Sequence, residues 1–208
     1  MARIWDTTTG KQLPRLAGYR GTQAVAIAPD GTWLAAAGGS SVAQIWDTAT
    51  GEQRAELSGH TGLVTAVAIA PDGTWLATAG TDGTTRIWDA SASDRDSKPP
   101  SHTGPVQALA VAPDGTWLVT AGNDGAARIR NATTGAQLVK VSAGSSVQAV
   151  AIAPDGTWLA TTGTNGVTHI WDAQSSHDGA KRVWRTRSRA RKRLPGRAGW
   201  AQAVAVAP

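Results

Sequence analysis

The hexapeptide Pro-Asp-Gly-Thr-Trp-Leu begins at Pro29, Pro71, Pro113 and Pro154, at spacings of 42, 42 and 41 residues. Recurrence at one period means that a single supersecondary unit is stacked on itself, so the fold is an array before it is anything else. A second landmark keeps the same beat. Ile-Trp-Asp places its indole at Trp5, Trp46, Trp88 and Trp171, and Ile129-Arg130-Asn131 fills the slot between the last two.

Within one period the residues read as short antiparallel strands. Ala66-Val67-Ala68-Ile69-Ala70 alternates a β-branched residue with a small one, which is the two-residue period of a strand. Both faces are apolar, so the sheet is expected to lie between neighbouring sheets, with alanine permitting their close approach. Pro71-Asp72-Gly73 predicts a tight turn, Trp75 to Ala79 a second strand, Thr81-Asp82-Gly83 another turn and Thr84 to Trp88 a third strand. Glu52 to Leu57 and Ala136 to Val141 predict fourth strands. The matching stretch Ser91 to Ser101 contains Pro99-Pro100 and four charges, which predicts a broken or looped-out outer strand.

The period, the Gly59-His60 pair, the Pro-Asp-Gly turn and the closing Trp88-Asp89 resemble WD40 repeats over most of residues 1 to 177. That resemblance implies an all-β fold, a β-propeller of four-stranded blades standing radially around a channel, here about four to five blades, partial or irregularly closed. It also implies a hydrogen-bonded tetrad tying a blade together, at His60, Thr78, Asp82 and Trp88. The third full blade has His102, Thr120 and Asp124 but Arg130 for Trp. The fourth has Thr161, Asn165 and Trp171 without a His, and the first has Gly18, Ala36 and Ser40 before Trp46. Arg outnumbers Lys fifteen to five and alanine is abundant, which is similar to bacterial tandem arrays of this family from GC-rich genomes.

Composition narrows the chemistry. The chain has no cysteine, which removes disulfide frameworks, thiolate-bound zinc and thiol catalysis. No apolar run reaches the roughly 18 residues needed to span a bilayer, and the first residues lack an apolar signal region, so a soluble, cytoplasmic chain without membrane contact is expected. The formal charge is +5, yet nine of the twenty basic residues lie between Lys181 and Arg197 with no acid among them. The repeats are therefore mildly acidic. The organisation expected is blades over 1–177, a basic insertion or degenerate outer strand over 178–199, and the first strand of a further repeat over 200–208.

Candidate chemistry is sparse. His60 and His102 sit one period apart, which reflects repetition and not a chelating pair, so no metal or cofactor is expected. Every Asp-Gly is explained by a hairpin turn, leaving no glycine-rich phosphate loop. Trp33, Trp75, Trp117 and Trp158 read as packing residues near the blade edge, the alternative being a row of stacking platforms. A propeller enzyme would need converging carboxylates or histidines that break the repeat, and none stands out. Basic residues interleaved with Trp184, above all Arg189, Arg191, Lys192 and Arg193, read as a solvated insertion, the alternative being a nonspecific nucleic-acid grip.

The resemblance implies a non-catalytic scaffold or sensor module that binds protein or peptide partners through the loops joining blades and the second-to-third strand turns. In this chain those loops include Tyr19, Arg20, Leu63 and Pro105, which vary between otherwise near-identical repeats. The ends raise a further expectation. An open array leaves two blade flanks bare, each roughly 300 Å², and together they forfeit up to about 15 kcal/mol. A hybrid blade closing the ring, self-association through open blade edges, or membership of a longer propeller would each remove that loss.

Overall fold

The computed structural model describes residues 3–12, 21–90, 102–175 and 182–186. Among them are fifteen strands and no helix. The first sheet holds β1 (Ala24–Ile27), β2 (Trp33–Ala37), β3 (Val42–Asp47) and β4 (Gln53–Ser58) in that order. The second holds β5 (Val64–Ile69), β6 (Trp75–Gly80) and β7 (Thr85–Asp89). The third holds β8 (Val106–Val111), β9 (Trp117–Gly122), β10 (Ala126–Asn131) and β11 (Gln137–Ser142). The fourth holds β12 (Val147–Ile152), β13 (Trp158–Gly163), β14 (Thr168–Ser175) and β15 (Arg182–Thr186). All pairs are antiparallel meanders, and each sheet is one blade. The outer strand expected to be broken, Ser91 to Ser101, lies outside the described residues.

The turn between the first two strands explains why the hexapeptide is repeated. Asp72 Oδ1 accepts from the Thr74 amide at 3.0 Å and the Thr74 hydroxyl at 2.9 Å, while the Gly73 amide donates to Ala70 O at 2.9 Å. Gly73 carries a φ of +70°, a conformation that only glycine adopts without strain. Asp114 and Asp155 hold Thr116 and Thr157 in the same way.

Inner strands β5, β8 and β12 each carry a register shift after their first residue, between Val64 and Ala66, Val106 and Ala108, and Val147 and Ala149. Such a bulge bends the strand and sharpens its twist. Thr65 uses it to reach the next blade, its hydroxyl contacting Val106 O at 2.6 Å.

No single central core exists among the described residues; the apolar mass sits in the seams between blades. Ala35, Ala37, Ile45 and Leu57 of the first blade pack against Leu76 and Trp88 of the second, with Val67 and Ile69 beside them. Trp75, Ala77 and Ile87 of the second meet Leu118, Leu109 and Val111 of the third. Val119, Ala121 and Ile129 of the third meet Leu159, Trp171, Val150 and Ile152 of the fourth. In every seam alanines of one blade's second strand, joined by Val119 in β9, lie against larger residues of the next blade's inner strand. This is why the second strands are buried end to end, as the two apolar faces require. The outer strands β4 and β11 are mostly exposed.

Seams are also stitched at one end. The His102 amide donates to Gly83 O at 3.1 Å, the Ala143 amide to Gly125 O at 2.9 Å and the Val64 amide to Ser40 O at 2.9 Å. Gly83 is at φ +75°, and a β-carbon there would stand 2.7 Å from His102 O, so backbones of adjacent blades approach where only glycine fits.

Residues 3–12 form a short hairpin with a single bridge, Trp5 to Gln12, ahead of the first blade. Its register matches Trp46 to Gln53 in the first blade. Asp6 Oδ1 holds the amides of Thr8 and Thr9 at 2.8 and 2.9 Å, as Asp47 Oδ1 holds those of Ala49 and Thr50. Ile4 packs on Leu34, Ala36 and Trp46.

Candidate interaction surface

In the second, third and fourth blades the end where seams are stitched is organised by buried polar side chains. In the second blade the Trp88 indole N–H donates to Thr78 Oγ1 at 2.9 Å, and Thr78 Oγ1 lies 2.9 Å from His60 Nε2. His60 Nδ1 lies 2.9 Å from Asp82 Oδ2. An ionised carboxylate accepts only, so His60 carries its proton on Nδ1 and the chain of donors runs from Trp88 through Thr78 and His60 to Asp82. Asp82 also takes the amides of Thr61 and Thr84 and the Thr84 hydroxyl. The carboxylate therefore joins the interblade loop to the turn between β6 and β7. All four tetrad residues expected from the resemblance are brought together.

Two side chains in this network were not singled out in the sequence. Thr84 follows Asp82 by two residues and was legible as the threonine of an Asp-Gly-Thr turn. Thr81 is the second: its hydroxyl accepts from the Leu63 amide at 2.9 Å and its own amide donates to Leu63 O at 2.8 Å.

The third blade shows what the loss of the tryptophan does. His102 keeps its contacts to Thr120 Oγ1 at 3.0 Å and Asp124 Oδ1 at 2.8 Å. Arg128 lies 2.7 Å from both Asp124 Oδ2 and His102 Nδ1. Its counterpart in the second blade, Arg86, instead reaches Gly59 O at 2.6 Å and lies over the Trp88 ring. Arg130, in the indole's place, is fully buried, and burial first, then repulsion from Arg128, lowers its pKa to about 10. Polar bonding thus contributes to this blade alongside packing.

The other two blades are simpler. In the fourth, the Trp171 N–H donates to Thr161 Oγ1 at 2.9 Å with no histidine beneath. In the first, Ala36 replaces the threonine, and Trp46 Nε1 is buried without a hydrogen-bond partner. Packing holds that blade.

Charge states follow from these contacts. Burial opposes ionisation of Asp82, but the Thr84 and Thr61 amides, the Thr84 hydroxyl and His60 outweigh it and hold the pKa at about 2. Asp124 is likewise held at about 2, burial being outweighed by His102 and Arg128. Burial pushes His60 and His102 below the ordinary 6.5, although Asp82 and Asp124 pull the other way. In all four groups the folded pKa is depressed, so the unfolded chain binds more protons as pH falls and stability is lost with acidification. Each carboxylate contributes on the order of 2 kcal/mol at neutral pH. Urea midpoints are expected to fall modestly from pH 7.5 to 5 as histidines titrate in the unfolded chain, then steeply below pH 4. A midpoint that rises between pH 7.5 and 3.5 would contradict this account.

Both ring nitrogens of His60 and His102 are engaged and the rings are buried, so neither imidazole offers a free base to a substrate. No group of three His, Cys, Asp or Glu side chains able to hold a metal ion occurs among the described residues.

Of the residues expected on the partner-binding face, Leu63 and Pro105 occupy equivalent positions on adjacent blades. Leu63 O accepts from the Thr81 amide and Pro105 O from the Asn123 amide, and Ser146 O takes the same place in the fourth blade. Leu63 is 44% exposed. Tyr19 and Arg20 lie outside the described residues, as do Arg189, Arg191, Lys192 and Arg193. The residues of 178–199 that are described, Arg182–Thr186, pair as an outer strand with β14. No helix among the described residues is long and apolar enough to cross a membrane, which says nothing of strand-built membrane proteins.

Meanders of three or four described strands, packed face to face along their seams, define a β-propeller built from tandem blades. The profile of the family WD40, described as WD domain, G-beta repeat, matches residues 10–47, 51–89, 97–131 and 136–172. The chain belongs to that family. Among the solved structures that match, one chain from the "Crystal Structure of Mitotic Checkpoint Complex" superposes with a TM-score of 0.82 at 23% identity. The match covers 98% of this chain and 61% of that one, so this chain spans under two thirds of its neighbour's length. At that identity the likeness shows the fold. A search of curated proteins gives no match.

Proposed function

We propose that the chain is a non-catalytic interaction platform that binds a protein or peptide partner at the blade end carrying Leu63 and Pro105. One observation carries this reading: Leu63 holds an exposed apolar side chain on a backbone fixed at both its amide and its carbonyl by Thr81. A side chain presented from an immobilised backbone loses little entropy on binding. The equivalent positions hold Leu, Pro and Ser, so the scaffold is constant while the presented chemistry changes from blade to blade. WD40 propellers typically serve as protein-interaction scaffolds, and the structural neighbour comes from a protein complex. Function on this fold nevertheless resides in the residues presented, and those differ here.

The test compares two exposed leucines. A photo-crosslinking residue at Leu63 or Pro105 is expected to capture the same protein from cell extract, whereas one at Leu138, 54% exposed on the outer strand β11, is expected not to. Leu63→Glu should abolish capture and change stability by less than about 0.5 kcal/mol, as surface substitutions do. Equal capture from all three positions overturns the reading.

A further inference from the structure

Each seam repeats one interface: Val, Ile or Leu on the inner strand of a blade is covered by the second strand of the blade before it, whose inward residues are alanines except for Val119. Val67 and Ile69 of β5 lie in the seam with Ala35 and Ala37 of β2. Val150 and Ile152 of β12 lie in the seam with Val119 and Ala121 of β9. The counterparts in β1 are Val25 and Ile27, and they are 53% and 62% exposed. Leu34 and Trp46 on the same flank are buried, because Ile4 of the N-terminal hairpin sits on them.

The covering is therefore half present. Residues 3–12 occupy the third- and fourth-strand positions of a preceding blade, as the match of Trp5 and Gln12 to Trp46 and Gln53 shows. The second-strand position holds none of the described residues. In its place is an apolar groove of about 530 Å³, walled by Ile4 and Trp5 on one side and by Thr22, Val25, Ile27 and Leu34 on the other. Trp5 is 54% exposed, whereas Trp46, Trp88 and Trp171 are buried. Among the described residues the one strand bridge along this hairpin is Trp5 to Gln12.

We propose that this groove takes an extended peptide strand with the chemistry of the family's own second strand, large-Leu-small-Xaa-small, added to the edge of residues 3–6. Two recognition elements point to this occupant. The backbone edge accepts a strand by main-chain hydrogen bonding, and the alternation of small residues matches the ridge of Val25 and Ile27. The other blades fix the register, since Leu76 pairs with Trp88 and Ala77 with Ile87. The leucine of the incoming strand thus stands opposite Trp5 and its first small residue opposite Ile4. Residues larger than the valine that β9 carries at Val119 would collide with Val25 and Ile27 at the small positions, since close-packed interiors resist added methylenes. The groove lies on a blade flank, so it is separate from the surface at Leu63 and Pro105 and does not depend on that reading.

The probe is a fluorescein-labelled peptide with the sequence of residues 72–80, Asp-Gly-Thr-Trp-Leu-Ala-Thr-Ala-Gly, titrated by anisotropy against the full chain. Saturable binding is expected, weakened at least tenfold by Ile27→Asp, by Val25→Asp, and by leucine at both inward alanines of the peptide. Ile27 and Val25 are exposed, so these variants should keep the parent's dichroism and urea midpoint. A peptide with valine in place of the threonine at position 78, which lies between the two inward alanines and faces away from the ridge, should bind as the parent does. Absence of saturable binding, or equal binding by Ile27→Asp, overturns the proposal. So does a concentration-dependent dimer in light scattering that Ile27→Asp makes monomeric and the peptide fails to dissociate, because the occupant is then a second copy of the chain.

Discussion

Asp82→Ala is expected to destabilise the protein by about 3–5 kcal/mol, because it leaves several buried neutral donors without their acceptor at once. The magnitude follows from what is stranded. The amides of Thr61 and Thr84, the Thr84 hydroxyl and His60 Nδ1 all converge on this carboxylate, and its side chain is only 7% exposed. Each buried donor left without an acceptor costs about 1–3 kcal/mol, less whatever water recovers. Asp155 supplies the comparison: it also holds a turn threonine through backbone and side-chain bonds, but it stands in solvent. Asp155→Ala should cost about 1 kcal/mol or less, since water replaces the lost acceptor. Urea denaturation of both variants decides the matter. Equal losses would mean that the buried network adds nothing beyond a turn, and the account of the polar lock would fail.

Asp124→Ala leaves a different residue pattern in the same place. Arg128 would lose the counter-ion 2.7 Å away while remaining beside His102 and the buried Arg130. The third blade thus depends on its aspartate to offset positive charge, where the second depends on it to satisfy neutral donors. Two blades of nearly the same sequence reach the same architecture by different electrostatics, and they differ at this end by Arg130 in the position of an indole and Ala126 in the position of Thr84.

The strands and turns were legible because each rests on local chemistry. Val and Ile alternating with Ala state the strand period, and Asp-Gly-Thr states the turn that Asp72, Asp114 and Asp155 form with the threonine two residues on. The tetrad was legible only through resemblance, since nothing local to His60 reveals that Asp82 and Thr78 fold onto its two nitrogens. What stayed hidden was long-range and specific to one blade. Arg86 and Arg128 occupy equivalent sites, yet one extends to Gly59 and the other turns onto Asp124, a difference that accompanies Trp88 against Arg130 and Thr84, whose hydroxyl already sits on His60 and Asp82, against Ala126. The bulges in β5, β8 and β12 were hidden too, because the register shift is set by pairing with the second strand and not by the inner strand alone. The exposure of Val25 and Ile27 depends on which strand lies opposite, about which β1 itself carries no information.

Alanine's part in the seams gives the second large effect. Ala77 is fully buried in β6 and lies in the seam with Leu118 of the third blade, also fully buried. Ala77→Leu is expected to cost about 3 kcal/mol, the upper end for overpacking, because strands on both sides of Ala77 fix the backbone that would have to retreat. Leu118→Ala, which opens a cavity in the same seam, is expected to cost about 2–5 kcal/mol. If small against large sets the distance between blades, the faults cancel. The double variant restores the seam's volume and should be more stable than either single variant, with a coupling of about 1–3 kcal/mol in a double-mutant cycle. If blade spacing were instead dictated by the stitches at Gly83 and Gly125, the sheets could not shift to exploit the exchanged volume. The two losses would then add.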